Sequence, residues 1–386
     1  MGLTKVAVGC QGGGMHAAFE VGVLTEILTD LDKDEKDRKF ELVGLSGTSA
    51  GALCALMAWY GLAPKQSGLG SPQQAINALE RTWESFTAET PIENVLSRLS
   101  YYAFRLQEME APVLGLNACG FGINPASILS KTITAWLPTL DVRKQFFDLA
   151  DFLATACPDF GLVDWPRVKT RLLIGASEVV NGVETVFDSA MNAEKYPQEK
   201  KCWRKRLPLS LDGVAASGTL PEFSQAVQIY SGYYWDGLYS QNPPVRDFLS
   251  NVPRDQTPDE LWIIRINPQQ CPRPPATRAE IIDRQNEMAG NLSLNKELDF
   301  VLTVNDLIST YGYPVANDYK HVTVRTIKMT EETADKLRYS SKFDRRIAFT
   351  DELREEGRKV AREWLNRWPM RESYPEDAAY RPRPHP

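Results

Sequence analysis

The chain predicts an α/β protein: three layers, α/β/α, with a mostly parallel central sheet between helices. Three observations carry this. A buried strand, Lys5 to Gly9, passes through a glycine loop into a helical pattern. A second strand, Glu41 to Leu45, runs into a tight turn and at once into an apolar helix. Successive β–loop–α units need right-handed crossovers, and these build parallel sheets covered on both faces. Finally, 386 residues at 43% hydrophobic content, with no internal repeat and no clear linker, suit one large core rather than several small ones.

The first helix is read from His16 to Leu31, where Val21, Leu24, Ile27, Leu28 and Leu31 recur at helical spacing. The charged run Asp32 to Arg38 is a solvated connection. After the second strand comes the helix Ala50 to Tyr60, then a Gly, Pro and Ser-rich loop, then an amphipathic helix from Ala75 to Phe86. Pro91 to Gly122 is apolar and aromatic without one clean period, and suits either a cap over a site or a helical excursion packed on the core. Arg171 to Ser177 and Val183 to Asp188 read as strands joined by the hairpin turn Asn181-Gly182. Ala226 to Trp235 reads as one further strand, ending at Asp236-Gly237. Then follow a strand (Leu261 to Ile266), a Pro-rich break, a helix (Thr277 to Leu307), a strand (His321 to Ile327) and an amphipathic helix (Asp351 to Trp368). The prolines and charges of 369–386 predict a disordered tail.

Composition narrows the function. A net charge of −6 argues against nucleic acid, which is bound through clustered Lys and Arg. No run is apolar enough to span a bilayer. The start of the chain shows no signal peptide, and Val6 stands where a myristoylation signal needs Ser or Thr. Six scattered cysteines without a C-x-x-C pair support neither a zinc site nor a disulfide framework. A cytoplasmic protein with reduced thiols is the expectation.

Chemistry concentrates at Gly47-Thr48-Ser49-Ala50-Gly51. G-x-S-x-G between strand and helix is a nucleophile elbow: Gly47 and Gly51 provide the smallness that such a sharp turn demands, and Ser49 is lifted off the sheet. A serine hydroxyl needs a base and donors for the oxyanion that forms. Only His16, His321 and His385 are available as histidine bases; His385 sits in the Pro-rich tail, which leaves His321 as the one placed downstream of the elbow in the usual triad order. A carboxylate is the alternative, and Asp236 stands where a strand gives way to a loop. Gly12-Gly13-Gly14 after the first strand is a backbone platform for a negative oxygen. As a nucleotide loop it lacks the Lys-Ser/Thr of a P-loop, and the last glycine of G-x-G-x-x-G is replaced by Ala17. Beside an elbow serine, an oxyanion hole explains it better.

Together these residues resemble the patatin-like phospholipase family, whose pattern is a G-G-G-x-R-G loop, a G-x-S-x-G elbow and a D-G-[GA] motif. Here the loop is Gly12-Gly13-Gly14-Met15-His16-Ala17 with Gly22 beyond, the elbow spans Gly47 to Gly51, and Ala215-Ala216-Ser217 with Pro221 and Phe223 matches a small-residue helix start. Asp236-Gly237-Leu238, followed by Asn242-Pro243-Pro244-Val245, matches the third motif. Leu337 to Leu365 resembles the C-terminal extension of a bacterial subset. The resemblance implies a Ser-Asp dyad without histidine: Ser49 as nucleophile, Asp236 as proton acceptor, Gly237 completing the dyad motif, and N–H groups of the Gly12–Gly14 loop as oxyanion donors. It also implies a catalytic domain over 1–330, with motifs in 5–245, and a helical extension over 331–368. Three departures stand out. His16 replaces an arginine, Ala17 a glycine, and Leu238 a small residue.

The implied activity is hydrolysis of phospholipid, lysophospholipid or other acyl esters through an acyl-enzyme, with no cofactor and no metal. An acyltransferase using the same dyad and a non-catalytic lipid-binding regulator are the alternatives. Peripheral contact with a lipid surface is expected at the aromatic stretch Tyr101 to Phe121.

Overall fold

Along the first strand, Val6, Val8 and Cys10 pack into one apolar cluster and Ala7 into another, and all four are fully buried. A strand reads as a continuous apolar run when both faces of its sheet are covered. The computed structural model describes residues 2–34, 36–108, 148–191, 203–221, 224–250, 252–271, 273–311 and 319–368. Among them nine strands form one sheet: β1 (Thr4–Cys10), β2 (Phe40–Gly47), β3 (Arg171–Glu178), β4 (Val183–Asp188), β5 (Arg204–Pro208), β6 (Val227–Ile229), β7 (Gly232–Asp236), β8 (Glu260–Arg265) and β9 (Thr323–Lys328). The order is β5-β4-β3-β2-β1-β8-β9, with β7 joined to β3 and β6 to β7. From β3 to β9 every pairing along that path is parallel. The β3–β4 pairing is antiparallel, closed by the expected Asn181-Gly182 turn with Gly182 at φ 65°.

The helices are α1 (Ala18–Leu31), α2 (Ala50–Leu62), α3 (Pro72–Phe86), α4 (Pro91–Glu108), α5 (Leu149–Ala156), α6 (Leu211–Ser217), α7 (Arg278–Tyr311), α8 (Glu331–Lys336) and α9 (Ile347–Arg367). Helices α1, α2, α3 and α9 share one core with Trp262 and Ile264 of β8, while Leu294, Leu298 and Val301 of α7 cover the opposite face with Leu261 and Ile263. Alternate side chains of one strand thus serve different layers, and the fold is the three-layer α/β/α arrangement. Helix α2 is apolar all round because it is buried all round. Helix α3 starts earlier than its apolar spacing predicts: Ser71 caps it by accepting the Gln74 N–H at 3.2 Å, and Pro72 opens its first turn.

Helix α9 lies directly on α1. A Cβ at Gly22 would stand 2.0 Å from the Arg354 carbonyl oxygen, and one at Gly357 2.1 Å from that of Phe19. Two helices touching backbone to backbone dock the C-terminal segment firmly onto the sheet layer. Its last turn adds Trp364 and Trp368, whose rings lie 4.7 and 5.1 Å from Trp262.

Two sequence expectations change. The single strand expected from Ala226 to Trp235 is a hairpin, β6 and β7, turned at Tyr230, which adopts φ 54°. An unbroken strand-like composition concealed that turn. The first helix opens as a 3-10 turn, Gly14–Ala17, before α1 begins, because the chain leaves β1 through Gly14 at φ 59°. The cap region forms helix α4 up to Glu108; the rest of Pro91 to Gly122 and the tail 369–386 lie outside the described residues.

Candidate active site

Ser49 sits between β2 and α2 with φ 57°, ψ −129°, a conformation that non-glycine residues rarely adopt. The surroundings impose it. A Cβ at Gly47 would lie 2.2 Å from the Gly51 carbonyl oxygen, and one at Gly51 would lie 2.4 Å from that of Cys10. Neither position accepts a side chain without the backbone moving, so the chain turns sharply here. The Ser49 carbonyl starts α2, accepting from Ala52 N–H at 2.9 Å, so the serine stands at the positive end of that helix. Its own N–H donates to Ser217 Oγ at 3.0 Å, and Ser217 donates onward to the Gly175 carbonyl at 2.6 Å.

Asp236 ends β7, opposite Ala176 of β3, and is fully buried. Its Oδ1 accepts the Leu238 N–H at 2.8 Å, which orients the carboxylate. The segment that follows wraps back onto the elbow. A Cβ at Gly237 would lie 2.9 Å from Thr48 Cγ2 and 2.5 Å from the Gly175 carbonyl oxygen, and the Thr48 hydroxyl donates to the Gln241 carbonyl at 2.8 Å. Residues almost two hundred positions apart in sequence, the neighbours of Ser49 and of Asp236, therefore meet.

The glycine loop closes over the same point, since a Cβ at Gly12 would be 2.8 Å from Ser49 Cβ. Gly12 itself changes role. Its N–H donates to Asn242 Oδ1 at 2.6 Å, so it braces the loop instead of facing a substrate oxygen. Its carbonyl accepts from Asn242 Nδ2 at 3.4 Å and from Asn267 Nδ2 at 3.2 Å. Gly13 and Gly14 remain the oxyanion candidates. Gln11 anchors the loop from behind: its Oε1 accepts the N–H groups of Ile266 and Asn267 at 3.1 and 3.0 Å.

The histidines divide cleanly. His321 is exposed and precedes the amino end of β9, whereas Ser49 follows the carboxyl end of β2, so parallel strands put the two at opposite edges of the sheet. It cannot complete a triad. His16 is buried, with Nε2 2.7 Å from Ser341 Oγ. Burial and the nearby Lys342 charge push its imidazole well below the usual range, so it stays neutral.

No motif in the sequence marks the side chains of Ser217, Asn242, Asn267 or Lys342 as part of the site. They act through partners remote in the chain, which no local spacing reveals. Among the described residues, no helix is long and apolar enough to cross a membrane.

A sharp turn at Ser49, at the carboxyl edge of a mostly parallel sheet and under a glycine loop, places the chain in the class of three-layer α/β proteins. Within that class the chain belongs to the patatin-like phospholipase family, whose model matches residues 10–249. No curated protein matches. Among solved structures, VipD from Legionella pneumophila is similar at 14% identity and TM-score 0.30, over 92% of this chain and 67% of that one. The ExoU–SpcU complex of the Pseudomonas aeruginosa type III secretion system is similar at 13% identity and TM-score 0.26, over 93% of this chain and 52%, about half, of that one.

Proposed function

We propose that this protein is a lipid acyl-ester hydrolase working through a Ser49–Asp236 dyad. Ser49 Oγ attacks the ester carbonyl while Asp236 accepts its proton. The oxyanion is received by the N–H groups of Gly13 and Gly14, and the proton passes from Asp236 to the departing alcohol. Water then attacks the acyl-enzyme, again losing a proton to Asp236, and the fatty acid leaves as the proton returns to Ser49. The observation that carries the reading is the strained Ser49 elbow, held by Ser217 and strapped to the segment that follows Asp236. Strain of this kind persists only where the surroundings over-determine it.

Membership of the patatin-like phospholipase family supports lipid esters as substrates. Helix α4 supports contact with a lipid surface, because Ile92, Val95, Leu99 and Tyr102 are exposed at helical spacing among the described residues. The test is a fluorophosphonate probe, with hydrolysis of p-nitrophenyl esters and phospholipid vesicles. Labelling at Ser49, and loss of turnover in Ser49→Ala and in folded Asp236→Asn, are expected. An unlabelled protein, or Ser49→Ala hydrolysing as well as the parent, ends the proposal.

A further inference from the structure

The glycine loop is contacted from outside by a residue close to the far end of the described chain. Residues Tyr339–Phe343 form a short 3-10 turn just before α9, and this turn lies against the loop. A Cβ at Gly14 would stand 2.4 Å from the Lys342 carbonyl oxygen, and one at Gly13 would stand 3.7 Å from Lys342 Nζ. The ammonium donates to Asn267 Oδ1 at 2.8 Å and to Asn286 Oδ1 of α7. Asn267 in turn donates to the Gly12 carbonyl at 3.2 Å. One chain of contacts thus runs from Lys342 through Asn267 to the loop that faces Ser49.

The charge has a reason to be there. In this chain His16 of the loop lies against Ser341, feels the Lys342 charge, and is neutral. No permanent cation is therefore carried by residues 11–17 themselves. Lys342 brings a cation, one that titrates, from a different element. The groups that face it are Asp283 and Glu287 of α7, His16 of the loop, Arg338 and Tyr339 of its own turn, and, across the loop, Asp236. Burial brings its ammonium down to about 8, while the carboxylates of Glu287, Asp283 and Asp236 act the other way.

We infer that Lys342 is a positioning residue of the acyl-transfer site, its ammonium holding the Gly12–Gly14 loop in the conformation that receives the oxyanion. This rests on the Ser49–Asp236 reading for its catalytic consequence, though the contacts themselves do not. A fixed positive charge behind peptide N–H groups favours negative charge in front of them, and a misplaced donor is costly at the transition state.

Five proteins are compared: parent, Lys342→Met, Lys342→Arg, Asp236→Asn and, as background, Ser49→Ala. Lys342→Met is expected to lower kcat about tenfold or more with KM little changed, at a retained melting transition. The parent loses activity as pH rises through about 8, because the ammonium is charged below that value and neutral above it. Lys342→Arg keeps its activity above that pH, since a guanidinium stays protonated. A Lys342→Met protein with parental kcat and the parental alkaline limb overturns the inference. A readout independent of turnover is the Nζ resonance of Lys342. Removing a carboxylate that favours the cation must lower its pKa, so Asp236→Asn shifts that titration downward. An unmoved titration overturns the inference even if the protein hydrolyses nothing. Parental turnover equal to that of Ser49→Ala instead removes the hydrolase proposal.

Discussion

The Thr48 hydroxyl donates to the Gln241 carbonyl at 2.8 Å, tying the residue before the elbow serine to the strap five positions beyond Asp236. Both groups are fully buried, so the bond is protected from competing water. The strap is held from its other side by Glu297 of α7, whose Oε2 accepts the N–H groups of Val245 and Arg246 at 2.9 and 3.0 Å. Glu297 is in turn neutralised by Arg204, 2.8 Å away. The site is therefore clamped between the elbow in front and the long helix behind.

Ser217→Ala leaves the part-buried Ser49 N–H and the buried Gly175 carbonyl without their present partner. A loss of about 1–3 kcal/mol of stability is expected, with kcat down about tenfold or more as the elbow shifts. Chemical denaturation beside ester hydrolysis checks it. An unchanged kcat per folded molecule would show that the elbow holds its geometry alone.

Asn242→Leu deprives the Gly12 N–H of the acceptor it meets at 2.6 Å. The loop loses its brace to the segment after Asp236, and kcat should fall about 100-fold with KM little moved. Steady-state kinetics against one soluble ester decide this. A rise in KM alone would mean that Asn242 binds substrate instead.

Glu20 is fully buried in α1, and burial pushes its carboxyl well above the ordinary range despite the Gln11 backbone and Cys54 beside it. A group whose folded value is raised is neutral inside while the unfolded chain ionises. Its contribution is therefore fully present below about pH 4.3 and declines as pH rises, by about 1.4 kcal/mol per unit until the folded value is passed. Glu20→Gln removes that decline. The variant should match the parent near pH 4 and melt higher near pH 8. Parallel melting curves across that range would show that Glu20 is charged in the folded protein.

Gly357→Ala inserts a methyl 2.1 Å from the Phe19 carbonyl oxygen, where backbone must move. Overpacking of this kind costs about 1–3 kcal/mol, read from the urea midpoint. Because α9 follows the turn carrying Lys342, activity should drop in step with the displaced helix. A parental midpoint would mean that α1 and α9 part at no cost.

The amino-acid order alone determined the layers and the elbow. Apolar runs at Lys5–Gly9 and Leu261–Ile266 demand two covered faces, and Gly47 and Gly51 around Ser49 demand a turn that excludes side chains. These are local constraints, written within a few neighbouring residues. The hairpin at Tyr230, the bracing use of Gly12, the remoteness of His321 and the arrival of Lys342 were settled by packing. Each depends on which distant segment supplies the partner for a buried N–H, carbonyl or charge. Spacing along a chain holds no record of that choice, because it is made only when strands and helices close around one another.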